Sequence, residues 1–223
     1  MAVCFGRLPF LLSGGQEMEQ EEIIQKLSKI PTQILGEEDC CRYAVAVLLV
    51  QKDPEVRLLF EKRSARLSTQ PGDICFPGGR IEDGENGAAA LRRELQEELC
   101  LSESEADNFH ILGRLPLYHK ERMIIEPYVV ETHELPCHFN PEEVEELFTV
   151  PLSFFTGQGP ACYTIRCHVC LPEDFPTDRI VGGAAYQWRP RREQIYFYQW
   201  QDRCIWGITA AIIREFVHFL LAT

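Results

Sequence analysis

Residues 79–101 of the chain read GRIEDGENGAAALRRELQEELCL. A helix turns by about 100° per residue, and the spacing predicts one from Asn86 to Leu99. On that helix three glutamates share one face at positions i, i+3 and i+4: Glu94, Glu97 and Glu98. Carboxylates one turn apart repel each other unless a cation lies among them. Oxygen ligands at this density suit Mg²⁺ or Mn²⁺ and not zinc.

A stripe of apolar side chains lies roughly 100° round the same helix. Its members are Ala88, Leu91, Leu95 and Leu99. The stripe predicts that one side of the helix packs on a core. Alone, a Glu-x-x-Glu-Glu pattern is more typical of an ordinary amphipathic helix with a solvated acidic face. The spacing of the residues around the glutamates favours a site instead.

That spacing resembles the signature of the Nudix hydrolases, G-x5-E-x7-R-E-U-x-E-E-x-G-U, where U is a bulky aliphatic residue. The chain matches it at every fixed position except one, where Cys100 replaces glycine. A helix end commonly needs a positive φ, and a residue other than glycine there costs roughly 1 kcal/mol. The resemblance implies an α/β fold with a mixed β-sheet sandwiched between helices (α/β/α). It also implies a hydrolase that depends on Mg²⁺ or Mn²⁺.

The resemblance further implies roles for individual side chains. Glu94 and Glu98 are expected to be metal ligands, and Glu97 a third ligand or the general base. Arg93 lies four residues before Glu97 and is expected to orient it. Glu85 is expected to help position the metal ligands without binding the metal itself. The sequence does not separate base from ligand among these acids.

A second motif lies before the helix and ends in two adjacent glycines. Its residues are Leu59, Arg63-Ser64, Gly72 and Phe76-Pro77-Gly78-Gly79. This string resembles the extra motif that accompanies coenzyme A pyrophosphatases within the Nudix family, except that Ser68 stands where an arginine is usual. We expect Arg63 and Arg66 to bind substrate, Arg63 at the ribose 3′-phosphate, and the backbone of Gly78 and Gly79 to approach the diphosphate. A solvated turn is the competing interpretation of the basic cluster.

Residues 140–146, NPEEVEE, carry a helix-start pattern. Asn140 is a good N-cap, Pro141 suits the first turn, and the acids lie near the positive end of the helix dipole. The pattern explains most of this charge without a function. Nudix enzymes often place a further acid here near the metals, so Glu143 is a candidate catalytic residue.

Composition restricts the partners. The chain has 223 residues and a formal net charge of −12. Nucleic acid and anionic membranes would be repelled at a distance, so neither is expected as a partner. The ten cysteines lack the dense spacing of a secreted disulfide scaffold. Reduced thiols and a cytoplasmic location are therefore expected.

Residues 1–17 are expected to be a poorly ordered N-terminal extension, and residues 18–223 a single domain. Two neighbouring apolar runs, residues 43–50 and 56–60, predict a β-hairpin. Apolar residues at helical spacing from 205 to 221 predict a core-facing helix.

The leading hypothesis is a diphosphatase that splits coenzyme A or its thioesters into adenosine 3′,5′-bisphosphate and 4′-phosphopantetheine. The nearest alternative is a Nudix hydrolase of ADP-ribose, a dinucleotide or an oxidised nucleotide. A non-catalytic Nudix-fold binding module is a weaker alternative, because binding alone does not require three crowded carboxylates. A homodimer is among the assemblies that the sequence allows.

Overall fold

The computed structural model describes residues 24–26, 28–29, 34–52 and 54–222. The unit Met1–Glu38 is described only in part, and residues 24–26 in it are helical. The unit Asp39–Thr223 contains all the features that follow. The predicted boundary between residues 17 and 18 lies outside the described residues and stays a prediction.

The unit Asp39–Thr223 contains both strands and helices, which come in runs of different lengths along the chain. The strands are β1 (Cys41–Lys52), β2 (Glu55–Arg63), β3 (Ile74–Cys75), β4 (Gly78–Arg80), β5 (His110–Arg114), β6 (Tyr118–Lys120), β7 (Met123–Thr132), β8 (Val144–Pro151), β9 (Ala161–Cys167), β10 (Arg191–Trp200) and β11 (Arg203–Trp206). The helices are α1 (Gly87–Glu98), α2 (Glu103–Ala106), α3 (Leu152–Gly157) and α4 (Gly207–Leu221). The predicted start of the last helix is wrong by two residues, because Ile205 lies in β11 and is buried there.

Strands β1 to β8 form one mixed sheet with the central order β3-β2-β1-β7-β5. Strands β1 and β7 run parallel, whereas the other pairs in this sheet are antiparallel. The predicted hairpin is confirmed, with Leu48 opposite Leu59. Strands β9 to β11 form a separate three-stranded sheet that the sequence analysis did not predict as a unit.

Strand β1 changes partner along its length. It pairs with β2 from Leu48 to Lys52, and with β4 from Tyr43 to Val45. Strand β3, just before β4, pairs with the far end of β2, where Cys75 lies opposite Glu61. The segment from β3 to β4 therefore runs beside both β1 and β2 and brings Gly78 and Gly79 to the centre of the sheet.

Helices cover both faces of the mixed sheet, which confirms the predicted α/β/α sandwich. Helix α1 packs on one face. The buried core there includes Ala44, Ala46, Leu48 and Leu59 from the sheet, and Leu91, Leu95 and Leu99 from the helix and its C-cap. Helices α3 and α4 cover the other face, where the core includes Val47, Leu58, Phe60, Phe155, Ile212, Ile213 and Phe216. Alternation along β2 sends Leu59 towards α1, and Leu58 and Phe60 towards α4. None of the helices in the described ranges has the length and apolar character needed to cross a lipid bilayer.

Candidate active site

Local capping explains where α1 begins and ends. The Asn86 Oδ1 accepts a hydrogen bond from the Ala89 N–H at 3.0 Å, as an N-cap does. At the other end the Leu101 N–H donates to the Gln96 carbonyl at 3.1 Å, and Cys100 between them has φ +50°. This is a Schellman ending in which cysteine occupies the left-handed position. The positive φ that is commonly needed at this position of a helix end is thus found at residue 100, although the residue is not glycine.

The three glutamates of the helix face have different environments. Glu98 is 4% exposed, and its Oε2 accepts the Gly78 N–H at 2.7 Å. The Glu94 carboxylate lies against the backbone of Gly79, where an added Cβ would be 2.3 Å from the carboxyl carbon. The Glu97 side chain is 55% exposed. The amide of Gly78, which we expected to approach a diphosphate, is therefore already bonded to a carboxylate.

Arg93 connects the glutamates of this face. Its Nε and Nη2 donate to the two oxygens of Glu85, at 3.2 and 3.1 Å. Its Nη1 donates to Glu94 at 2.7 Å and to Glu97 at 3.3 Å. Its Nη2 also donates to the Arg80 carbonyl at 2.9 Å, which fixes the guanidinium to β4. The hydrogen bond from Arg93 lowers the pKa of Glu85. This geometry supports an orienting role for Arg93 and Glu85.

Glu61 on β2 is a residue of this site that the sequence analysis missed. Its side chain is 1% exposed, and its Oε1 accepts a hydrogen bond from the Cys75 Sγ at 3.1 Å. Burial raises the pKa of Glu61 to about 7, while the bond from Cys75 and the charge of Arg63 oppose that rise. The sequence does carry a signal for this residue. Glu61 directly follows the apolar run Leu58-Leu59-Phe60, and strand alternation places its carboxylate on the same buried face as Leu59.

Glu143 lies in a turn, so the predicted helix start is wrong. The Asn140 Oδ1 accepts the Glu142 N–H at 3.1 Å, and the chain then enters β8, which pairs with β2. Asn140 thus caps a turn and not a helix, because the residues after the turn pair with β2 as a strand. The Asn140 N–H donates to the Glu98 carbonyl at 2.8 Å, and the Ser64 N–H to the Glu143 carbonyl at 2.8 Å. The turn therefore joins the end of α1 to the loop after β2.

We call Glu61, Glu94, Glu97, Glu98 and Glu143 the acidic cluster, because their charges act on one another. Burial raises the pKa of Glu98 well above its usual range, and the charges of Glu61, Glu94 and Glu143 add to that rise. Burial also raises the pKa of Glu94, an effect that the hydrogen bond from Arg93 opposes. The cluster therefore has an excess of negative charge that a cation would relieve.

The chemistry of the acidic cluster fits a hard divalent cation. Its donors are all carboxylate oxygens, and none of the described residues hydrogen bonds to the buried Glu61 Oε2. In the described ranges, no three or more His, Cys, Asp or Glu side chains are arranged as a ready metal-binding group. Instead, Arg93 holds Glu94 and Glu97. The assignment of Glu94, Glu97 and Glu98 as ligands stays a prediction.

Arg63 closes the loop that carries the second motif. Its N–H donates to the Asp73 carbonyl at 2.9 Å, and its carbonyl accepts the Gly72 N–H at 3.1 Å. Its Nη2 donates to the Thr69 carbonyl at 3.3 Å, whereas its buried Nε has no hydrogen-bond partner in the described ranges. The charge of Arg63 also lowers the pKa of Glu61. The guanidinium therefore lies beside the acidic cluster.

Arg66 has different surroundings. Its Nη1 donates to the Glu142 Oε1 at 2.5 Å, and both side chains are 69% exposed. An ion pair so exposed is weak and exchanges readily with solvent. The two arginines that we expected to act together therefore have different partners and different exposure.

A cleft of about 550 Å³ lies at the N-terminal end of α1. Arg42 Nη2 and Arg114 Nη1 donate to the buried Glu126 at 2.7 and 3.0 Å, and the Tyr128 hydroxyl donates to it at 2.9 Å. Both arginines are therefore paired with Glu126, and their presence in the cleft does not by itself indicate a bound anion. The acidic cluster remains the better candidate site.

Residues 42–156 match the NUDIX domain family, a region that covers about half of the chain. The chain belongs to the Nudix family. This confirms the family that the helix motif predicts. The acidic cluster, Arg63 and Arg93 all lie inside the matched region, whereas β9 to β11 and α4 lie outside it.

Curated relatives of this Nudix chain include two proteins with a named activity. "Peroxisomal coenzyme A diphosphatase ndx-8" of Caenorhabditis elegans is 36% identical over 134 residues, covering 58% of this chain and 55% of that protein. "Peroxisomal coenzyme A diphosphatase NUDT7" of Mus musculus is 33% identical over 117 residues, covering 51% and 48%. The chain spans about half the length of these two relatives.

A third relative is matched over more of its length. "Uncharacterized Nudix hydrolase NudL" of Photorhabdus laumondii is 29% identical over 177 residues, covering 78% of this chain and 82% of that protein. Its name gives the Nudix family without a substrate. The match therefore supports the family over most of the chain and leaves the substrate to the chemistry of the site.

Proposed function

We propose that this Nudix protein hydrolyses the diphosphate linkage of coenzyme A or its thioesters with the help of Mg²⁺ or Mn²⁺. The products would be adenosine 3′,5′-bisphosphate and 4′-phosphopantetheine, or its acyl form. Two relatives with this named activity support the proposal. So does the second motif, whose Arg63 and Gly72 are hydrogen bonded at the base of one loop.

One observation carries the proposal. In the described part of the chain, only two buried side-chain nitrogen or oxygen atoms lack a hydrogen-bond partner: Glu61 Oε2 and Arg63 Nε. They lie two residues apart on β2, beside the other carboxylates of the cluster. The carboxylate oxygen can accept a donor or a cation, and the guanidinium nitrogen can donate to an anion. A metal-bound diphosphate supplies both, which is what such a hydrolase binds.

The side chains of the site have distinct parts in this reaction. A bound divalent cation would neutralise phosphate oxygens and make a water molecule more acidic. Glu94 and Glu98 would hold it, with Glu98 also fixing the β4 backbone through the Gly78 N–H. Glu97, which is more exposed than Glu94 and Glu98, would accept the proton from the attacking water. Arg93, itself held by Glu85, would orient Glu97 through a hydrogen bond.

The position of Arg63 changes its proposed role. A phosphate bound at its buried Nε would lie beside the metal ligands, so we assign Arg63 to the diphosphate and not to the ribose 3′-phosphate. Arg66 is exposed and pairs with the equally exposed Glu142, so it is the better cation for the 3′-phosphate. Lys62 points to the opposite face of β2, where it donates to Glu145 at 2.5 Å.

The nearest alternative keeps the same diphosphate chemistry but changes the substrate to ADP-ribose, a dinucleotide or an oxidised nucleotide. A regulatory module without activity is the weaker alternative. It would leave the crowding of Glu94, Glu97 and Glu98 without a use. Cytoplasmic location and dimer formation stay predictions.

A substrate panel tests the proposal. The purified protein is incubated with coenzyme A, an acyl-coenzyme A, dephospho-coenzyme A, ADP-ribose and a diadenosine polyphosphate, each with Mg²⁺, Mn²⁺ or EDTA. We expect metal-dependent release of adenosine 3′,5′-bisphosphate from coenzyme A with the highest kcat/KM. A higher kcat/KM for ADP-ribose would favour the alternative substrate class. No turnover of any compound would favour the binding module.

A further inference from the structure

Strand β2 contributes a carboxylate from outside the helix motif. Alternation along the strand directs Glu61 to the side of α1, since Leu59 lies in the core beneath that helix and Phe60 in the opposite core. Its cross-strand partner Cys75 lies three residues before Gly78, whose N–H is held by Glu98. Sheet pairing thus brings Glu61 to the inner side of the acidic cluster.

The two carboxylate oxygens of Glu61 differ in their hydrogen bonding. Oε1 accepts from the Cys75 Sγ, whereas Oε2 is buried and has no hydrogen-bond partner among the residues that the structure describes. A buried carboxyl group with a purely structural role normally has both oxygens hydrogen bonded, whether it is ionised or protonated. Within the described part of the chain the Arg63 guanidinium does not supply the missing bond, since Glu61 Oε2 and Arg63 Nε both lack a partner there. Glu61 Oε2 therefore requires a group that the described side chains do not provide.

From this geometry we infer that Glu61 is an additional ligand of the divalent cation, donating Oε2 from the sheet side while Glu94 and Glu98 donate from the helix side. The inference rests on the metal dependence in the proposed function. It adds a ligand that lies 33 residues before Glu94 in the sequence. A site formed from both a strand and a helix would also fix α1 on the sheet when metal binds.

Metal binding is measured without substrate, on the full chain. Mn²⁺ affinity is obtained from the electron paramagnetic resonance signal of free Mn²⁺, and Tm is recorded in EDTA and in Mn²⁺. For Glu61→Gln we expect Mn²⁺ binding weaker by roughly tenfold or more, a higher Tm in EDTA, and a smaller rise in Tm on adding Mn²⁺. Glu55→Gln, at the exposed start of the same strand, is the matched control and should behave as wild type.

A second variant, Glu61→Asp, keeps the charge but shortens the side chain, so its Mn²⁺ affinity should also fall. Wild-type Mn²⁺ affinity in both variants would overturn the inference. So would a lower Tm in EDTA for Glu61→Gln with an unchanged rise on adding Mn²⁺, since that result means a structural role. A wild type that binds Mn²⁺ but leaves coenzyme A intact would overturn only the proposed function.

Discussion

The carboxylate of Glu94 lies directly against the backbone of Gly79. A Cβ on Gly79 would be 2.3 Å from the Glu94 carboxyl carbon and 2.4 Å from both of its oxygens. Gly78 is crowded in another way, because a Cβ there would lie 2.2 Å from the Ala44 carbonyl oxygen, and its φ is +137°. The two adjacent glycines therefore serve different ends: Gly79 makes room for a reactive side chain, and Gly78 makes room for a neighbouring strand.

Alanine at each glycine should separate these roles. In Gly79→Ala the added methyl group meets the end of a flexible side chain, so we expect a folded protein with a displaced Glu94 and a large loss of kcat. In Gly78→Ala the methyl group meets backbone, so we expect a marked loss of Tm. Thermal melts and kcat of both variants test this. Equal losses of Tm would contradict the distinction.

Glu98→Gln should retain the fold and lose turnover. The amide oxygen can still accept the Gly78 N–H, while one negative charge leaves the acidic cluster. We expect kcat to fall by roughly a hundredfold or more, and the metal-free protein to become more stable because repulsion is relieved. The measurement is kcat across a Mg²⁺ titration, with circular dichroism as the check on folding. Wild-type turnover in the folded variant would refute the assignment of Glu98.

Helix α1 was predictable because its signals are local. Asn86 caps it, the apolar stripe selects its buried face, and the glutamates follow from the helical repeat. The cysteine at residue 100 left the end of the helix open, and the structure shows a Schellman ending with a positive φ there.

The missed features depend on pairing between distant segments. Glu61 gains its importance from Cys75 and from α1, which the sequence alone does not place beside it. The Asn140 turn shows the same limit. Its capping chemistry suits a helix or a turn, and the pairing of β8 with β2 decides for the turn. The partner of the Gly78 N–H likewise follows from the path of β3 and β4 between strands.

The stability of the metal-free protein should depend on pH through Glu61. Its pKa is about 7 in the folded protein, mainly because of burial, against 4.5 for an ordinary glutamate. The folded state thus binds more protons between these values, and the free energy of unfolding falls as pH rises through this window. In EDTA, wild type should lose more stability than Glu61→Gln between about pH 5 and pH 8. Urea unfolding at both pH values measures this, and parallel losses in the two proteins would contradict it.

Cys100→Gly should stabilise the protein modestly. The exposed Cys100 has φ +50°, a conformation that glycine adopts without strain. The gain is at most about 1 kcal/mol, or about 2–4 °C in Tm, less the added entropy of glycine in the unfolded chain. Cys100→Ala is the control, because it removes the thiol but keeps the Cβ, and it should melt like wild type. A clear drop in Tm for the glycine variant would mean that the side chain contributes packing.

Comparing coenzyme A with dephospho-coenzyme A tests the division of labour between the two arginines. The substrates differ by the ribose 3′-phosphate, and each charge-assisted hydrogen bond is worth about 1.5–3 kcal/mol, or roughly ten- to a hundredfold in kcat/KM. Arg63→Ala should lower kcat/KM by similar factors for both substrates, because the buried Nε beside Glu61 is assigned to the diphosphate. Arg66→Ala should lower it for coenzyme A alone, and Glu142→Gln, which frees Arg66, should leave dephospho-coenzyme A hydrolysis unchanged. A loss confined to coenzyme A in Arg63→Ala would instead return the 3′-phosphate to Arg63.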